Sequence, residues 1–163
     1  MKKIFFMMCA LLIGATMMTS CILPKDEDEE SATLSSVRKR LPGTWEVTHK
    51  VASDGTETKY DYTLRLTFGE EGVNVPKISV AKSSDIAGSF RMFQNDKEVV
   101  SKGRWNAEDG SMPLLYFHDN NGNLMNIPGG TQNVYVRSIG ITTMYLDFEK
   151  ELNGVRGYKL EKD

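Results

Sequence analysis

After residue 21 the chain contains no cysteine; the only two are Cys9 and Cys21. A disulfide framework and a cysteine-ligated metal site are therefore excluded from the body. Histidine is nearly as scarce. His49 and His118 are the only two, and neither stands in a His-Glu-x-x-His pattern, while no Gly-x-Ser-x-Gly elbow or phosphate-cradling loop occurs. Charge of one sign is not in excess either. Twenty basic against 22 acidic side chains give a net charge of -2, so no nucleic-acid partner is expected. With no catalytic residue, metal ligand or cofactor motif to assign, the chain reads as non-enzymatic.

What is present begins with delivery. Lys2 and Lys3 precede an apolar run from Ile4 to about Met18, and Thr19 and Ser20 lead into Cys21, the charged, apolar, small-residue order of an export signal. The run is shorter than the roughly 20 apolar residues a spanning helix needs, so residues 1–20 read as a signal peptide. Met18-Thr19-Ser20-Cys21 resembles a bacterial lipobox. That resemblance implies cleavage before Cys21, thioether lipidation of its sulfur and acylation of the new amino terminus. The membrane partner is then held through lipidated Cys21, stably, because two signals anchor where one acyl chain is marginal. A secreted protein with a free thiol is the alternative.

Residues 21–40 read as a lipidated acidic tether. Lys25-Asp26-Glu27-Asp28-Glu29-Glu30 has no apolar period, and its like charges repel and extend the chain. Its place a few residues after Cys21 resembles the export tag that sends lipoproteins of Bacteroidota to the outer face of the outer membrane; a plain solvated linker is the other reading. The expected location is thus the outer membrane, exposed at the cell surface or otherwise facing the periplasm. A helical turn is predicted over Leu34 to Arg40, capped by Ser35 or Ser36 and ended by Pro42.

From Thr44 the apolar period is two, the signal of half-buried strands. Trp45, Val47, His49 and Val51 share one parity, and Asp54-Gly55 supplies a hairpin turn. Tyr60, Tyr62, Leu64, Leu66 and Phe68 then fall on one face of a returning strand. A strand with an edge or bulge at Pro76 is predicted over 73–80, followed by a loop at 83–88. Further strands are predicted over 90–94, 98–106, 113–118, 124–127, 131–138, 142–149 and 155–161, with turns at Asn95-Asp96, Asn121-Gly122 and Asn153-Gly154. The fold class is all-β. Residues 41–163 form one domain, an antiparallel barrel of about 8–10 strands, preferred to a sandwich because closure removes exposed edges.

Gly43-Thr44-Trp45 at the start of the first strand, preceded by a short turn, resembles the Gly-X-Trp signature of lipocalins, and segment 41–163 is similar to the lipocalin-like domains of Bacteroidota lipoproteins, which are calycin-type barrels. The resemblance implies that Trp45 closes one end of the barrel and that an arginine near the last strand packs over it. Arg156 matches that position, with a cation–π gain of about 0.5–2 kcal/mol.

The inner parity carries Tyr60, Tyr62, Phe68, Phe90, Met92, Trp105, Met144 and Phe148, candidates to line a cavity for a small hydrophobic ligand. A packed core is the competing reading, and periodicity does not choose between them. His49, on the apolar parity, is expected to be buried and hydrogen-bonded. Residues 118–123 offer oxygen ligands, but an EF-hand loop would need glycine at Leu124 and glutamate at Gly130, so turn chemistry is expected there instead. The leading functional expectation is a lipid-anchored protein of the envelope that captures a small apolar or amphipathic ligand in its barrel. The alternative is a module whose loops 83–88 and 119–123 bind a glycan, a protease or another envelope protein.

Overall fold

The computed structural model describes residues 31–80 and 86–163. The expected signal peptide at 1–20, Cys21, the acidic cluster and residues 83–85 of the expected loop lie outside the described residues. Helix α1 spans Leu34–Arg40. The strands are β1 (Gly43–Val51), β2 (Glu57–Lys59), β3 (Leu64–Phe68), β4 (Ile86–Gln94), β5 (Lys97–Glu108), β6 (Leu114–His118), β7 (Leu124–Met125), β8 (Val134–Ile139), β9 (Thr143–Leu152) and β10 (Val155–Lys162). Every pairing is antiparallel, and β1–β10 pairing closes β1, β3, β4, β5, β6, β8, β9 and β10 into an eight-stranded barrel. β2 and β7 are short additions on β1 and β6.

The alternation read from the sequence is what closes this sheet, since one residue in two points inward along each strand. Leu64, Leu66 and Phe68 of β3 are buried while Arg65 and Thr67 are not. Inside, Phe68, Phe90 and Phe117 pack with ring centroids 4.8–6.1 Å apart. At one end α1 seals the barrel. It starts with a capping box in which Thr33 and Ser36 bond each other's backbone N–H groups, so Thr33 is the cap and Ser36 the reciprocal residue. Val37 and Leu41 are fully buried in the same cluster as Trp45.

Three local readings are corrected. Residues 73–80 form no strand; Pro76 lacks the N–H that a ladder needs, and only intermediate burial is found at Val75, Pro76, Ile78 and Val80. Residues 86–88, expected in a loop, belong to β4, where Gly88 pairs with Trp105 and admits its indole. The returning strand is not continuous. It breaks at 60–63 into β2 and β3.

Candidate binding site at the barrel mouth

The end opposite α1 carries the turns after β1, β4 and β9 together with residues 126–133. Its geometry follows from a register change. Lys59 pairs with His49 and Arg65 with Glu46, so the returning strand advances six residues while β1 steps back three. Three extra residues are thus extruded around Tyr60-Asp61-Tyr62. Bulges of this kind re-aim side chains beside functional sites. Tyr62 becomes 61% exposed, and Asp61 reaches Lys50 at 3.2 Å.

From this bulge a series of rings runs into the core. Tyr62 meets Tyr60 edge-on at 6.1 Å, Tyr60 meets Tyr158 at 5.3 Å, and Tyr158 meets Phe148 at 4.9 Å, each a favourable T-shaped contact. The Lys50 ammonium lies 5.6 Å from the Tyr60 centroid. Tyr158 donates its hydroxyl hydrogen to the Pro128 carbonyl at 2.7 Å; burial first, and the neighbouring Tyr60 next, push its pKa well above the usual phenol range. Gly129 sits with φ +72 against the Tyr158 hydroxyl, where a Cβ would collide. The 128–130 segment and Tyr158 thus close off the mouth above Phe148.

Between these groups lies a cleft of about 370 Å³, bordered by Lys50, Tyr60, Tyr62, Gln94, Asn153 and Tyr158. A second cleft of about 280 Å³ shares Tyr60 and Tyr62 and extends over Glu46, His49 and Glu161. Both are open to solvent on one side.

The eight candidate lining residues therefore divide. Phe68, Phe90, Met92, Trp105, Met144 and Phe148 are at most 5% exposed and belong to the central core cluster. Trp105 donates its indole N–H to the Gly69 carbonyl at 3.0 Å. Only Tyr60 and Tyr62 border the mouth clefts. Sequence reasoning missed Lys50, Gln94, Asn153 and Tyr158 as their companions. Hairpin turns were legible, and the convergence of three of them on one bulged strand was not.

At the sealed end Trp45 is fully buried and donates its Nε1 hydrogen to the Leu41 carbonyl at 2.8 Å. The cation over its ring is Lys162, 5.1 Å from the centroid, and not Arg156. Register is the reason, because Lys162 stands directly opposite Trp45 on β10, whereas Arg156 precedes it by six positions, near Gly157 and Val51. That separation is roughly 20 Å at the rise of a strand. Gly43 is held at φ +128, a backbone conformation that favours glycine, and a Cβ there would also stand 2.6 Å from Cε at the flexible end of Lys162.

The histidines also part from expectation. A register shift between Val47 and His49 sets His49 opposite Lys59 and Lys159, where it is half-buried and bonded to the Thr48 hydroxyl at 3.0 Å. His118 is the fully buried one, and neither ring nitrogen has a hydrogen-bond partner among the described residues. Its burial, and then Arg104 across the β5–β6 pair, hold its pKa below the ordinary value of 6.5. The 118–123 turn is built as turn chemistry. Asp119 accepts from the backbone of Asn121 and Asn123, and Asn120 accepts from Ser101 and Lys102. No group of three metal-ligating side chains occurs among the described residues.

A closed antiparallel barrel of eight strands, sealed at one end by a short helix and a buried tryptophan, is compatible with a calycin or lipocalin-like fold. Comparison with protein-family models and with characterised proteins returns no match.

Proposed function

We propose that this chain is a lipid-anchored, non-enzymatic binding protein of the cell envelope, holding a small amphipathic ligand at the mouth of its barrel. The observation that carries this reading is the extruded Tyr60-Asp61-Tyr62 bulge. It inserts three residues beyond the register that β1 sets for the returning strand, and it borders a cleft of about 370 Å³, within the range of roughly 300–1,000 Å³ usual for small-ligand sites. The barrel centre, where the apolar ligand was first expected, is occupied by phenylalanine rings in mutual contact.

The anchor supports the same orientation. Ser31 bridges to Ser138 and Ala32 donates to the Arg137 carbonyl, so the chain enters beside α1 at the sealed end. The ten residues from Cys21 to Ser31 reach at most about 35 Å. A lipid on Cys21 would then attach the barrel through its sealed end, the end opposite the tyrosine mouth.

Native mass spectrometry of the protein solubilised from its host's membranes tests this reading. A retained small molecule together with a diacyl or triacyl mass on Cys21 is expected. A protein with neither contradicts both halves, and loss of lipid-precursor label in Cys21→Ala separates the anchor from the ligand.

A further inference from the structure

We infer that the ligand of the mouth is an uncharged saccharide chain that lies across Tyr62, an inference that rests on the mouth being the binding site. Depth is the first argument. The Pro128 carbonyl is fastened to the Tyr158 hydroxyl, and Phe148 lies directly beneath that ring. A long acyl chain has no path inward there. Both clefts are open along one side, so an occupant keeps one face in water. An apolar molecule gains little from half-burial, because the driving force scales with the area removed from water. A ring that is apolar on its C–H faces and hydroxylated at its edge loses nothing by remaining half-solvated.

Charge is the second argument. Lys50 is ion-paired with Asp61 at 3.2 Å across the bulge, and beyond the tyrosines the second cleft carries Glu46, Glu161, His49 and Lys59 in mixed sign. Among the described residues the one charged side chain bordering the larger cleft, Lys50, is thus already paired, so no free cation waits there for an anionic ligand. The uncharged polar groups that border the larger cleft include the side-chain amides of Gln94 and Asn153 beside the tyrosine hydroxyls. Each amide offers both donors and an acceptor, which suits the hydroxyl edge of a sugar.

Length is the third. The two clefts, about 370 and 280 Å³, meet at Tyr60 and Tyr62, and Tyr62 is the exposed ring between them. A chain of more than one sugar ring can pass from Gln94 and Asn153 over Tyr62 toward Glu46, with the Tyr62 face as its stacking platform.

The test titrates the purified full chain with neutral tetra- to hexasaccharides of glucose, mannose, xylose and galactose, and separately with dodecanoate, by calorimetry. At least one neutral oligosaccharide is expected to bind. Tyr62→Ala should weaken that binding about tenfold or more, equivalent to about 1.4 kcal/mol, and Tyr62→Phe should retain most of it, with the melting temperature of both variants unchanged. Binding of dodecanoate alone, competed away by substitutions at Tyr60 and Tyr62, would keep the mouth as the site and overturn the saccharide. Failure of every oligosaccharide to bind, or saccharide binding indifferent to Tyr62→Ala, would overturn it as well.

Discussion

Lys162 and Trp45 stand directly opposite each other on the last and first strands, with the ammonium 5.1 Å from the indole centroid and also donating to the Arg40 carbonyl at 3.1 Å. One side chain thus ties α1, β1 and β10 together at the point where the barrel closes. Burial holds its pKa below the usual lysine value, as expected for a cation drawn partly out of water.

Three substitutions rank this contact. Trp45→Ala should destabilise the fold by about 3–5 kcal/mol, as for other buried aromatics. Lys162→Ala should cost about 1–2 kcal/mol through the lost cation–π contact and hydrogen bond, whereas Arg156→Ala should stay within about 0.5 kcal/mol. Urea denaturation measures all three. An Arg156→Ala loss larger than that of Lys162→Ala would contradict the register that places Lys162 over the ring.

The two classes of aromatic residue should separate in the same assay. Phe90→Ala empties space beside Phe68 and Phe117 and should cost about 3–5 kcal/mol. Tyr62→Ala removes a ring that is 61% exposed and should change stability by no more than about 0.5 kcal/mol. Equal losses at both positions would mean that Tyr62 is part of the core.

Acid should weaken the fold through His118. The folded pKa is lowered from 6.5 by burial and by Arg104, so the unfolded chain takes up the proton first as pH falls. The contribution of the neutral imidazole is therefore complete above about pH 6.5 and is lost progressively below it, down through the folded pKa. Comparing urea midpoints at about pH 7.5 and about pH 5.5 should show a drop in the wild type that is smaller in His118→Gln. Equal drops would exclude His118 as the cause.

Calcium should have no effect. One Asp119 oxygen already accepts from the backbone of Asn121 and Asn123, and the other from the Asn123 amide at 3.3 Å. A ligand that binds the folded state raises its melting temperature. Millimolar calcium and chelator should therefore give the same melting curve, and a calcium-dependent rise would restore the metal reading of this turn.

Much of the barrel was legible because strand alternation is a local property. Helix α1 was placed at Leu34–Arg40 with Pro42 as its stop, although its cap is Thr33 and not Ser35 or Ser36, and the Gly43-Thr44-Trp45 joint was visible as a motif whose glycine the structure explains by its φ of +128. What escaped is non-local. Alternation through Tyr60, Tyr62 and Leu64 looked unbroken, yet the pairing partner β1 shifts register at Val47/His49 and the returning strand extrudes three residues against it. Parity therefore failed for His49 and Tyr62 in the same region. Arg156 was chosen for its place near the last strand, as the lipocalin resemblance implied, although the residue that meets Trp45 is set by the β1–β10 register, which no single strand reveals. Lys50, Gln94, Asn153 and Tyr158 come from four separate strands or turns, and only closure of the sheet assembles them.

The location of the ligand is the point on which the functional account stands. It is tested most directly by backbone and aromatic NMR of the protein titrated with the molecule recovered from its host. Resonance shifts centred on Tyr60, Tyr62, Gln94 and Asn153, with Phe68, Phe90 and Phe117 unmoved, are the predicted result. Shifts centred on those three phenylalanines would place the ligand inside the barrel and contradict a binding site at its mouth.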